Sequence, residues 1–151
     1  MRGLIYNIRG FGQEGRRNQL KRYIRQEKLD IIGLQETIKP DFSMTELRSL
    51  EFGGQFAWNW LPANGLSGGL LLGFRDDCFE VGEWKKGIFF LSTTFLQRKC
   101  RTKWCFILVY GPADHRRSVE FLGELETVVR NCNLPLVVGA TLTLFVCGGQ
   151  K

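Results

Sequence analysis

Two periods run through the apolar and polar positions of this chain, one near two residues and one near 3.6. Leu4-Ile5-Tyr6-Asn7-Ile8 and Asp30-Ile31-Ile32-Gly33-Leu34-Gln35 are short apolar runs bounded by polar or turn residues, which reads as two core strands. Between them Leu20, Tyr23 and Ile24, with Glu27 at the margin, recur on one face and predict a helix over Arg16–Lys28. Strand, helix, strand is the βαβ rhythm of an α/β layer. Pro40 then breaks the chain. Ser43-Met44-Thr45-Glu46 has the capping-box pattern and opens a short helix through Leu50, which Gly53-Gly54 ends. From Phe56 the period becomes two. Phe56–Leu61, Leu70–Phe74, Phe79–Trp84, Gly87–Leu96 and Arg101–Tyr110 read as successive strands. Phe121, Leu122, Leu125, Val128 and Val129 share a face of a helix over Ser118–Asn131, and Pro135-Leu136-Val137-Val138-Gly139 opens one more strand. No linker, repeat or low-complexity tract divides the pattern, so it reads as one α/β (α+β) domain.

Composition adds three constraints. With 151 residues, 44% hydrophobic and 24% charged, the chain can bury a real core, and 12 Phe and 4 Trp supply much of it. The net charge of +6 suits a polyanionic partner without identifying one. Cys78, Cys100, Cys105, Cys132 and Cys147 are odd in number and form no Cys-x-x-Cys pair, and His115 is the only histidine, which argues against a structural zinc site. Met1-Arg2-Gly3 leads straight into a strand, without a signal-peptide pattern, and no apolar run approaches the ~20 residues that span a bilayer. The expectation is a reduced, intracellular protein with no membrane association and no defined protein partner.

The candidate chemistry sits where strands end. The run Asp30–Gln35 stops at Gln35-Glu36-Thr37. A carboxylate there is held by a rigid element yet reaches the rim of the sheet, a suitable place for a hard cation such as Mg²⁺. The plainer reading of Glu36 is the first solvated residue after a strand. Asn7, before the Arg9-Gly10-Phe11-Gly12 loop, can hydrogen-bond a phosphate or orient a metal-bound carboxylate, although Asn also closes turns with its own side chain. Tyr110 ends the strand Trp104–Tyr110, where its hydroxyl can meet a phosphate oxygen or simply water. Gly65-Leu66-Ser67-Gly68-Gly69 is followed by no Gly-Lys-Ser/Thr and is not a phosphate-binding Walker loop. Backbone crowding beside a strand accounts for it better. Two basic stretches, Arg16-Arg17-Lys21-Arg22-Arg25-Lys28 and the hairpin tip Gln97–Lys103, can lie along a nucleic-acid backbone or serve as ordinary solvated surface.

Four landmarks in this order resemble one family. They are Asn7 in Tyr6-Asn7-Ile8-Arg9-Gly10, Glu36 in Gln35-Glu36-Thr37, Ser67-Gly68-Gly69 before a strand, and Tyr110 in Val109-Tyr110-Gly111-Pro112. Together they are similar to the endonuclease/exonuclease/phosphatase, or deoxyribonuclease-I-like, superfamily over residues 1 to about 139. The nearest likeness is to the N-terminal endonuclease of plant LINE-type non-LTR retrotransposon polyproteins. The resemblance implies a four-layer α/β sandwich of two packed mixed sheets with helices outside. It implies Mg²⁺-dependent cleavage of a DNA phosphodiester, with Glu36 as metal ligand, Asn7 beside it, and Tyr110 on the scissile phosphate.

The resemblance breaks at Gly139. The family has Gly-Asp-Phe-Asn there, whereas this chain reads Gly139-Ala140-Thr141-Leu142-Thr143-Leu144-Phe145, and its C-terminal Asp-His pair has no counterpart. His115 does not correspond to that histidine. Methyl, hydroxyl and isobutyl groups cannot accept a proton from water near neutral pH. Allowed codons for Thr141–Gln150, reread after one inserted G, spell Asp-Phe-Asn-Leu-Ile-Arg-Leu-Trp-Arg-Thr. Residues 140–151 are therefore expected to be an aberrant tail produced by a shifted frame, without selected structure, and the sandwich is expected to be incomplete and catalytically defective. A nucleic-acid-binding remnant without catalysis is the alternative.

Overall fold

The computed structural model describes residues 1–140 apart from Leu66 and Ala113, together with the backbone of Thr143–Val146. In chain order the elements are β1 (Arg2–Asn7), α1 (Glu14–Glu27), β2 (Ile31–Gln35), α2 (Met44–Ser49), β3 (Phe56–Leu61), β4 (Leu70–Arg75), β5 (Phe79–Lys86), β6 (Phe90–Gln97), β7 (Thr102–Val109), α3 (Ser118–Arg130), β8 (Leu136–Gly139) and β9 (Thr143–Val146). A single 3-10 turn, His115–Arg117, leads into α3.

The strands form two mixed sheets, ordered β3-β4-β2-β1-β9 and β5-β6-β7-β8. β1 and β2 are parallel, as are β7 and β8, and the other pairings are antiparallel. Alternation along each strand sorts the core into three layers. On β7, Phe106 and Leu108 point between the sheets, where they meet Ile5, Ile31, Leu72, Phe74 and Phe95. Cys105, Ile107 and Val109 point the other way, onto Phe121, Leu125 and Val128 of α3. The outer face of the first sheet buries Leu4, Ile32 and Leu34 beneath Leu20 and Ile24 of α1 and Leu47 of α2. Helices, sheet, sheet, helix make four layers, the architecture that the landmarks imply.

Gly33 lets the sheets approach. A Cβ there would lie 2.9 Å from Ile5 Cδ1 in the same sheet and 3.2 Å from Leu108 Cδ1 of the facing sheet, so a side chain would crowd the packing between the sheets.

Boundaries follow the local chemistry. Ser43 Oγ accepts from the Glu46 N–H at 3.1 Å while Glu46 Oε1 accepts from the Ser43 N–H at 2.9 Å, the reciprocal pair that the pattern predicts. β6 begins at Phe90, later than the pattern suggests, because the Gly87 N–H is turned onto the Phe90 carbonyl at 3.0 Å. One expectation differs from the structure. In α3 only part of the apolar stripe is seated: Leu122 is 59% and Val129 38% exposed, since no described element covers their side of the helix. In the tail, Thr143–Val146 pairs antiparallel with β1 from Arg2↔Val146 to Ile5↔Thr143. β1 would otherwise present a row of unpaired backbone groups, and Thr-Leu-Phe-Val is a sequence suited to such an edge. The expectation for Thr141, Leu142 and residues 147–151 lies outside the described residues.

Candidate functional site

The polar landmarks meet at one rim because of strand direction. β1 and β2 run parallel, so Asn7 and Gln35 face each other in register at their C-terminal ends. β4 runs antiparallel to β2 and begins opposite Gln35 at Leu70, which brings Ser67-Gly68-Gly69 to the same end. β7 and β8 finish there too, with Tyr110 and Ala140.

Backbone hydrogen bonds stitch these loops together. The Gly10 N–H donates to the Glu36 carbonyl at 2.8 Å and the Phe11 N–H to the Thr37 carbonyl at 2.9 Å. On the other side the Thr37 N–H donates to the Gly69 carbonyl at 3.2 Å and the Ile38 N–H to the Gly68 carbonyl at 3.0 Å. Glu36 is thus held between two loops in a left-handed conformation, φ 52°, which non-glycine residues adopt only where their surroundings enforce it.

Glu36 and Tyr110 line one cleft of about 360 Å³, with Gly68, Phe89, Asp114 and Arg117 among its other walls. Gly68 has φ +77°, and a methyl group there would overlap the Tyr110 hydroxyl; at Gly69 (φ +96°) it would overlap the Thr37 hydroxyl. The two glycines are therefore crowding glycines, as the sequence suggests. Phe89 supports the cleft from below. Its carbonyl accepts from the Tyr110 N–H at 3.1 Å, its ring meets the Tyr110 ring edge-on at 6.2 Å, and the Arg117 guanidinium lies 4.8 Å from its centroid.

The described residues lining this cleft do not include Asn7 or His115. Asn7 Oδ1 accepts from the Arg9 N–H at 3.1 Å, closing the turn after β1, which is the turn role weighed for it above. Asp114 is engaged by the Arg116 side chain, at 3.0 Å in its ion pair, and by the Arg116 N–H. Those two contacts, the side chain first, hold the Asp114 carboxyl below its ordinary pKa. Among the described residues no three His, Cys, Asp or Glu side chains cluster as a metal cage.

Sequence reasoning missed two contributors. Arg117 brings a guanidinium to the cleft, ion-paired to Glu120 at 2.8 Å, but in the sequence it is one of several arginines in a polar loop. Gln35 is buried at 2% exposure and its Nε2 donates to the Val109 carbonyl at 2.5 Å and the Ala140 carbonyl at 2.7 Å. It ties the end of β2 in one sheet to the ends of β7 and β8 in the other. A buried polar residue at a strand end was the only available signal. The basic hairpin tip lies elsewhere: Lys103 and Tyr110 are at opposite ends of β7, roughly 23 Å apart at about 3.3 Å per residue.

No protein-family profile and no curated protein sequence matches the chain. Solved structures do. The human Nocturnin catalytic domain with bound sulfate anion matches with a TM-score of 0.70 at 17% identity, over 93% of this chain and 62% of that one. A Leptotrichia buccalis endonuclease/exonuclease/phosphatase family protein matches with a TM-score of 0.66 at 13% identity, over 93% and 65%. This chain has the endonuclease/exonuclease/phosphatase fold. The AP endonuclease LMAP from Leishmania major shares that fold with a TM-score of 0.61 at 14% identity, over 92% of this chain and 54% of that one. The chain spans less than two thirds of the length of each of these three proteins. No helix of the described residues is long and apolar enough to cross a membrane.

Proposed function

We propose that the cleft at the strand ends is a phosphate site of the retrotransposon-endonuclease type, one that binds the DNA backbone but hydrolyses it poorly. The observation that supports this most is the convergence of Glu36, Tyr110 and Arg117 on one cleft. A guanidinium and a phenol O–H are donors suited to phosphate oxygens. Mg²⁺ commonly binds through one or two protein carboxylates and completes its shell with phosphate and water. A lone Glu36 fits such a shared ion and not a closed cage. When bound by Glu36, Mg²⁺ would offset charge on the phosphoryl group; Asn7, whose Oδ1 accepts from the Arg9 N–H, would reach it only by leaving that turn.

The defect is assigned to the end of β8. In the shifted-frame reading the missing Asp would stand at position 141, directly after Ala140, whose carbonyl is bonded to Gln35, the neighbour of Glu36; the chain has Thr there, whose hydroxyl cannot take a proton from water near neutral pH. Asp114, committed to Arg116, does not replace it. The retrotransposon origin and the shifted reading frame are part of this proposal, and genomic and transcript sequence across Gly139 tests them directly: one inserted base should restore Asp-Phe-Asn.

The biochemical test is a supercoiled-plasmid assay with Mg²⁺, paired with duplex binding across a salt series. The expected result is binding that weakens steeply with salt, little nicking, and weaker Mg²⁺-dependent binding in Glu36→Ala. Nicking by the unaltered chain that vanishes in Glu36→Ala would overturn the defective reading, and failure to bind DNA at low salt would overturn the site itself.

A further inference from the structure

Away from that rim, β7 and the segment after α3 bring two thiols together. Cys105 is 6% exposed and packs in the same apolar cluster as the half-buried Cys132. The pairing of β7 with β8 explains the approach. The Cys105 N–H donates to the Pro135 carbonyl at 2.8 Å and Cys105 lies in register with Leu136, so only a few residues separate Cys132 from the backbone bonded to Cys105. Cys132 Sγ donates to the Leu134 carbonyl at 3.6 Å. Both line a cavity of about 240 Å³ that Glu83 and Lys85 also line.

We propose that Cys105 and Cys132 are a redox-active dithiol that a hydroperoxide converts to an intramolecular disulfide, tethering the end of α3 to β7. In the first step the Cys132 thiolate attacks the peroxide oxygen. An S–O bond forms, the O–O bond breaks, and the alcohol or water leaves with the thiol proton. In the second, the Cys105 sulfur attacks the Cys132 sulfenic acid. The S–S bond forms, the S–O bond breaks, and oxygen departs as water with the Cys105 proton. Two thiols lose two electrons and the peroxide gains them. Burial first, then the Cys132 contact, pushes the Cys105 thiol up to about 12, which suits it to the second, resolving role rather than the first.

The bond would act where the fold is thinnest. α3 has no fully buried residue; it is held by the partly buried Phe121, Leu125 and Val128 and by Glu124, which accepts from the Ile88 and Phe89 N–H groups at 2.8 Å each. A crosslink from its end to β7 restricts the unfolded chain and should secure that layer.

The test uses the full chain carrying Cys100→Ser, which removes the half-exposed hairpin cysteine whose pKa the Thr102 hydroxyl lowers. The protein is treated with hydrogen peroxide, unfolded, alkylated and mapped by mass spectrometry, with thermal unfolding followed in parallel. The expected result is a Cys105–Cys132 linkage, a raised unfolding temperature that dithiothreitol reverses, and loss of both in Cys132→Ser. Circular dichroism verifies that this variant folds. A Cys105 that remains alkylatable while Cys132 is over-oxidised or bridged to Cys78 or Cys147 would overturn the proposal, as would the absence of oxidation at both sulfurs.

Discussion

Gly68 shows how one missing side chain can shape a site. Its φ of +77° and the Tyr110 hydroxyl above it act together, whereas Gly65 has a comparable φ of +66° with nothing within 4 Å. Alanine at either position meets the same backbone penalty, of roughly 1–2 kcal/mol. Only Gly68→Ala also displaces Tyr110. Denaturant titration should therefore find the two variants within about 1 kcal/mol of each other, while DNA-binding titration should find Gly68→Ala weaker and Gly65→Ala close to the parent. Equal binding by both would remove Tyr110 from the site. Gln35 makes a second residue-scale prediction. Gln35→Leu leaves the buried Val109 carbonyl without this donor, and an unpaired buried acceptor costs about 1–3 kcal/mol. Urea unfolding should show a loss in that range.

At the scale of elements, α2 is short and depends on its start. Burial pushes the Glu46 carboxyl up, but the Lys39 ammonium at 2.8 Å, the Ser43 backbone N–H and the Ser43 hydroxyl outweigh it and hold the pKa below the ordinary value. A group depressed in this way stabilises the fold above its unfolded pKa, and that contribution is lost as pH falls through the folded value. The stability difference between the parent and Glu46→Gln should be present at neutral pH and shrink on acidification through the carboxylate range. Ser43→Ala, by losing the cap, should cost about 1 kcal/mol at neutral pH. α1 carries a related lesson. Its basic residues are not all free surface, since Arg17 donates to the Phe11 carbonyl at 3.0 Å and Arg16 to the Arg9 carbonyl, fastening the loop after β1. A mutation that tests α1 for DNA contact should therefore use Arg22 and Arg25, which have exposed positions, and leave Arg16 and Arg17 intact.

For the molecule as a whole, the notable surface lies on the α3 side. Val119 is 82% exposed and Leu122 59%, and Val138 on edge strand β8 is 42% exposed. Apolar side chains beside a strand edge favour self-association. Leu122→Glu should leave stability within about 0.5 kcal/mol yet reduce concentration-dependent association, as read by light scattering or sedimentation. An unchanged association profile would place the sticky surface elsewhere, on another sheet edge.

The sequence alone determined the elements and most of their order, because hydrophobic period is a local property: Ile31–Leu34 reads as a strand and Leu20–Ile24 as a helix face without reference to anything distant. It also marked Asn7, Glu36 and Tyr110 as polar strand ends, and the Ser43–Glu46 cap could be read residue by residue. Tertiary structure decided which of these marks share a surface. Strand direction placed Glu36, Gly68 and Tyr110 at one rim and carried the basic hairpin to the far end of β7. Gln35 gained its role only when two sheets stacked, since both carbonyls it bridges lie more than seventy positions away in the chain. Cys105 and Cys132 met for the same reason: a helix and a parallel strand crossing folded their separation into a contact, and no local pattern records a crossing.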